Sequence, residues 1–148
     1  MSKYIKNWFS NMLPLDYPIK YQNIQYFTVE NFYQAMKLPK NRTDLRLEIS
    51  KMSPYEAKKN IRDKKKYTWC KLWTKEKSLE VMEYALTFKF KKGTTWYKKL
   101  METGESDIIE WNNWNDIFWG KSIVTCEGEN HLGEILMKIR KNLKENLD

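Results

Sequence analysis

At 148 residues, with 15% aromatic content and a formal net charge of +8, the chain suits one domain with a real hydrophobic core. Two cysteines, Cys70 and Cys126, in no zinc or redox spacing, and a single histidine, His131, argue against a His-rich metal site, a Ser-His-Asp triad or a Cys-His dyad, and fit a reducing cytosol. The N-terminal "MSKYIKNWFS" carries no apolar leader core and no stretch approaches the roughly 20 apolar residues of a membrane span, so the expectation is a soluble, cytoplasmic protein with no membrane partner.

Residues 1–27 place Pro14 and Pro18 between aromatic-rich pieces, and "IKYQNIQYF" sets strand-like residues around a turn, which predicts a loop and a short hairpin. Thr28 is a candidate N-cap for a helix over "TVENFYQAMK". The Lys/Arg-bearing stretch between Leu38 and Ser53 is left without an assigned element. "SPYEAKKNIRDK" starts a helix with Ser53 as N-cap, Pro54 at the first helical position and Glu56 completing a capping box. In "TKEKSLEVMEYALTFKF", Leu79, Met82, Ala85, Leu86 and Phe90 recur at helical spacing and predict a buried helix. "TTWYKKLMETG" ends on Gly104, a natural helix terminator, and "KSIVTCE" reads as a short strand. A last helix from about Leu132 carries Leu132, Ile135, Leu136, Ile139 and Leu143 as its apolar stripe. The predicted fold is mainly α with a few short strands (α+β), a compact single domain over residues 1–148.

Two features have both a bland and a functional reading. In the helix after Thr28, Glu30, Gln34 and Lys37 fall within roughly 60° of one another, opposite Val29, Phe32, Tyr33, Ala35 and Met36. That polar stripe is either a solvated ladder or one wall of a pocket. Residues 58–77 hold nine Lys/Arg interleaved with Tyr67, Trp69 and Trp73, against Asp63 and Glu76. Such a run is either a solvated helix face or a footprint for single-stranded nucleic acid. The charge excess favours polyanionic or phosphorylated partners, although 23 Lys against 4 Arg also fits an AT-biased genome.

Four segments, in order, resemble the NADAR (YbiA-like) family of N-glycosidases: "FSN" at Phe9–Asn11, "TVENFYQAMK" at Thr28–Lys37, "METGESDIIEWNNWNDIFWG" ending at Trp119–Gly120, and "GENHLGEILMKIR" ending at Arg140. The helices "SPYEAKKNIR" and "VMEYALTFKF" fit between them, so the resemblance runs roughly from Trp8 to Leu143. The chain departs from the family pattern at Asn31, where many members carry His, at Lys121–Ser122 after "WG", and over the Leu38–Ser53 stretch.

The resemblance implies cleavage of the N-glycosidic bond between a phosphorylated ribose and a base, either a riboflavin-pathway intermediate or ADP-ribosylated guanine. Such cleavage develops oxocarbenium-like charge at the ribose C1′ and needs an anion beside it, a positioned water or nucleophile, and help for the departing base. It requires no metal and no cofactor. On the resemblance, Glu30 is the anion or general base, and Lys37 can form a Schiff base with the opened ribose. Asp116 is a further catalytic or ribose-binding carboxylate. Gln34 orients substrate or the Glu30–Lys37 pair, and Asn11 and Glu110 join the substrate-binding set. Trp119 stacks on the base, with Trp73 as a second stacking candidate, while Gly120 lets backbone approach the ligand. Asn130 and Gly133, with free N–H groups at the start of the last helix, suit a phosphate that Arg140 also reaches. Each has a structural alternative: Glu30 as a glutamate favoured by the helix dipole, Lys37 solvated, Asp116 a turn or cap, the tryptophans in the core, Arg140 paired with a buried carboxylate. A second functional reading is a module that binds ADP-ribose or nucleic acid, the latter through Lys58–Lys77, without turnover.

Overall fold

The computed structural model describes residues 3–4 and 9–146; Trp8, where the family resemblance begins, and most of the N-terminal decapeptide lie outside them. Among the described residues six helices and six short strands form, and the chain divides into two compact units, Asn11–Lys89 and Met1–Ser10 with Phe90–Asp148. No helix among the described residues is long and apolar enough to cross a membrane.

The Asn11–Lys89 unit begins with a hairpin of β2 (Pro14–Tyr21) and β3 (Ile24–Thr28), antiparallel with Tyr21 opposite Ile24 and Ile19 opposite Tyr26. Its two-residue turn, Gln22–Asn23, has both φ angles positive (55° and 62°), the geometry whose twist matches that of the flanking strands. The ladder is irregular between Pro14 and Ile19, where Pro14 and Pro18 contribute no N–H. In β3 the alternation is clean: Ile24, Tyr26 and Thr28 are buried while Gln25 and Phe27 face out.

Thr28 then caps α1 (Val29–Ala35), its hydroxyl accepting the N–H of Asn31 at 3.0 Å. All seven residues of α1 are buried, because β3, α2 (Thr43–Lys51), α3 (Pro54–Asn60) and α4 (Lys75–Lys89) pack around it. The predicted helix thus stops two residues early, with Met36 as its cap and Lys37 in the following turn. The stretch left unassigned between Leu38 and Ser53 is a helix, α2. Its apolar residues Leu45, Leu47 and Ile49 are spaced by two, as in a strand, and its N-cap Arg42 makes no side-chain capping bond. Tertiary packing selects the helix: Leu45 and Ile49 are buried whereas Leu47 is 41% exposed. In α3 the capping box forms as expected between Ser53 and Glu56. Along α4, Val81, Met82, Ala85 and Leu86 are buried, with Leu79 only half-buried.

In the other unit, β1 (Lys3–Tyr4) runs parallel to β4 (Ile108–Ile109), with α5 (Thr95–Glu102) between them in sequence. Gly104, at φ +63°, follows the end of α5. β5 (Trp111–Asn112) pairs in parallel with β6 (Lys121–Ser122), within the "KSIVTCE" segment expected to contain a strand. α6 (His131–Glu145) packs on β4 and α5 through Leu132, Ile135, Leu136 and Ile139, with Leu143 half-buried. The fold is mainly α with a few short strands.

Candidate active site

The polar residues of α1 are not a solvated ladder. Glu30 and Gln34 are 8% and 5% exposed, one turn apart, and the Gln34 Nε2 donates to Glu30 Oε2. The Glu30 backbone N–H donates to the Asn11 carbonyl at 3.0 Å, which ties the "FSN" segment to the first turn of the helix. Burial holds the Glu30 carboxyl above the usual carboxylate range, against the lowering influence of the Gln34 hydrogen bond and of Lys58 and Lys37. Two buried acceptors, Asn11 Oδ1 and Gln34 Oε1, meet no donor among the described residues. Both therefore suit a ligand that brings hydroxyl or N–H donors.

Lys37 is fixed from both sides of the backbone: its N–H donates to the Gln34 carbonyl at 3.2 Å and its carbonyl accepts the Cys70 N–H at 2.7 Å. Its ammonium lies 4.5 Å from the centre of the Trp69 ring and 5.2 Å from that of Tyr33. Trp69 is held by its own Nε1 bond to the Ile61 carbonyl at 2.8 Å, and Tyr33 meets Trp73 edge-on at 5.4 Å. Burial pulls the Lys37 amine down to about 8; Glu30 opposes the fall, and Arg62, Lys64 and Lys58 add to it. A buried carboxyl in the first turn of α1, an amine of lowered pKa just after its last turn and a cationic surround therefore influence one another electrostatically.

The basic stretch is not one helix face. It runs from the end of α3 through an irregular segment into the first turn of α4. Its aromatics also turn inward. Tyr67 is 2% exposed and donates to Glu48, and Trp69 and Trp73 are half-buried. Of its cations, Lys64 lies over Trp69 and Lys66 pairs with Glu48 at 3.3 Å.

The candidates of the second unit are engaged in its architecture. Asp116 Oδ1 accepts the N–H groups of Phe118 and Trp119, at 3.2 and 2.9 Å, the capping role that was its structural alternative. Half-buried Trp119 meets Phe118 edge-on at 4.9 Å. At Gly120 a Cβ would collide with the Glu110 carbonyl, so the close approach expected of a ligand is made by the protein's own backbone. The half-buried Glu110 donates its N–H to Asn130 Oδ1 at 2.9 Å. Three of the N–H groups expected to be free at the start of α6 are engaged: those of Asn130, His131 and Leu132 donate to the carbonyls of Gly120, Phe118 and Trp119. Asn130 spends its amide on the Ile108 carbonyl, and Gly133 is the gap through which that same carbonyl approaches α6. Arg140 Nη1 donates to Thr103 Oγ1 and the Ser106 carbonyl, both at 2.8 Å, rather than to a carboxylate.

Sequence reasoning missed Lys89. It is 1% exposed, and burial brings its amine down to about 7. The signal was its place on the apolar stripe of α4, seven residues after Met82 and four after Ala85.

Residues 2–144 match the model of the NADAR domain. The chain belongs to the NADAR family. This NADAR chain is 32% identical over 128 residues to a protein named N-glycosidase YbiA from Escherichia coli (strain K12), an alignment covering 86% of the chain and 76% of that relative. It is 31% identical over 117 residues to a riboflavin biosynthesis protein of Vibrio vulnificus (strain YJ016), covering 78% of the chain but only 30% of the relative's length. Its fold matches the NMR structure of the E. coli protein YbiA with a TM-score of 0.79 at 28% identity, over the whole chain and 90% of that structure. Of the departures from the NADAR pattern, Asn31 has a structural explanation: its amide donates to the carbonyls of Ile49 and Met52, both at 2.9 Å, and joins α1 to the end of α2.

Proposed function

We propose that this chain is an N-glycosidase that hydrolyses the bond between a base and a phosphoribosyl or ADP-ribosyl sugar. The observation that carries this reading is the buried Glu30–Gln34 pair on α1 followed by Lys37, an amine lowered to about 8 that lies against two aromatic rings. The name N-glycosidase borne by one relative supports this reaction class, and riboflavin biosynthesis protein, borne by another, fits a substrate from that pathway.

Two routes use these groups. In one, Glu30 takes a proton from a water that attacks C1′, the C1′–N bond breaks with its electron pair going to the base nitrogen, and that nitrogen takes a proton from solvent. In the other, the neutral Lys37 amine adds to C1′ of the opened sugar and expels the base, leaving an imine that water then hydrolyses. Gln34 fixes the Glu30 carboxyl in either case. The cationic surround of Lys58, Arg62 and Lys64 suits the substrate's phosphate.

The test is release of free base from an early riboflavin-pathway N-glycoside and from an ADP-ribosylated guanine nucleoside. Glu30→Gln and Lys37→Ala are each expected to lower kcat by roughly 10²-fold or more with the fold retained. Borohydride trapping separates the routes: a reduced adduct on Lys37 marks the imine. Full activity in both variants would remove α1 from the chemistry. Tight ADP-ribose binding with no base released would make the protein a binding module instead.

A further inference from the structure

The Asn11–Lys89 unit contains a cavity of about 540 Å³, within the range of small-ligand sites. None of Glu30, Gln34 and Lys37 lines it. Its lining, which includes Lys40 and Lys77, has an aromatic part: Phe32 on α1 meets Tyr84 of α4 at 5.7 Å with the rings 30° apart, and Tyr21 of the hairpin edge-on at 6.0 Å. Trp73 and the Cys70 thiol add to the lining.

Arg46 also lines this cavity, and it is unusual on two counts. It is 5% exposed, yet its guanidinium is held by neutral acceptors, the Gln22 side chain at 2.7 Å and the Leu38 carbonyl at 2.9 Å. Its Nε, fully buried, meets no acceptor among the described residues. Desolvation lowers the pKa of the guanidinium, and the groups that oppose the shift are Tyr26, Tyr21 and Cys70, with no carboxylate among them. Glu80, which also lines the cavity, is exposed and pairs with Lys77 at 3.8 Å. A buried cation with a spare donor calls for an anion, and the surrounding rings call for a flat apolar body.

We propose that this cavity is a second binding site, for a small planar aromatic molecule carrying one negative charge, with Arg46 taking the anion and Tyr21, Phe32 and Tyr84 the ring. The cavity shares Trp73, the second stacking candidate, with the glycosidase reading but none of Glu30, Gln34 and Lys37, and the proposal stands whether or not that activity is found.

A matched pair of probes tests it, 2-naphthoate against its neutral analogue 2-naphthamide, on the full chain carrying Cys126→Ser so that Cys70 is the sole thiol. Calorimetry should show naphthoate binding at least tenfold more tightly than the amide. Saturating naphthoate should slow alkylation of Cys70 by at least tenfold. Arg46→Met should abolish the preference for the anion. Because that change also releases Gln22 and Leu38, Tyr84→Ala, at a half-exposed wall position, provides a second arm; it should weaken both probes threefold or more and keep the preference. Equal affinity for the two probes, unprotected Cys70, or Tyr84→Ala binding like the parent would each overturn the proposal.

Discussion

Burying an ammonium costs far more than burying a methyl group, and the turn after α1 and the last residue of α4 each set a lysine against that cost. At Lys37 two rings and a carboxyl offset part of it. At Lys89 desolvation dominates, bringing the amine from 10.5 to about 7. The folded value lies below the unfolded one, so between about 7 and 10.5 the unfolded chain holds a proton that the native state has released. Stability should therefore rise with pH across that window, by up to about 1.4 kcal/mol per pH unit. Lys89→Met should be more stable than the parent at pH 7, and the gap should narrow by pH 9.5. Urea denaturation at the two pH values measures this. The same gap at both would mean that Lys89 keeps its proton in the native state. The burial of Lys89 was not read from the sequence, whereas Lys37 was singled out by the family resemblance with a solvated alternative left open, and its place beside Tyr33 and Trp69 decides against the solvated one.

At the level of elements, local chemistry was largely legible. The capping box at Ser53, the cap at Thr28 and the stripe of α6 are short-range signals, complete within a few residues of sequence. α2 was not, because Leu45, Leu47 and Ile49 alternate and only burial of one face chooses the helix. Glycine roles also depend on long-range approach. Gly133 was read as room for a ligand, yet the Ile108 carbonyl fills that room. Gly133→Ala should consequently push β4 from α6 and destabilise the protein by about 1–3 kcal/mol, the usual cost of overpacking. Thermal unfolding of the variant measures the loss; an unchanged midpoint would mean that the β4 backbone yields at little cost.

On the scale of the whole molecule, a net charge of +8 guarantees some attraction to polyanions. The aromatics of residues 58–77 are turned inward, so stacking on nucleic-acid bases has little to offer there. Binding to a single-stranded oligonucleotide should then be electrostatic alone. It should weaken steeply, by an order of magnitude or more, between about 50 and 200 mM salt, and further when Lys64, Lys65 and Lys66 are replaced by Gln. Fluorescence anisotropy reads both. Tight, salt-resistant binding would show that the aromatics can be presented after all.

By itself the sequence determined the family, the helix-rich composition of the fold and the clustering of Glu30, Gln34 and Lys37, because motif order, caps and helical period are properties of neighbouring residues. Tertiary structure decided which of those polar groups leave water. Packing on every side of α1 buried Glu30 and Gln34 and set Lys37 between rings, whereas Asp116, Asn130 and Arg140 were drawn into hydrogen bonds that hold their own unit together. Burial depends on what the rest of the chain brings alongside a helix, and no local spacing encodes it.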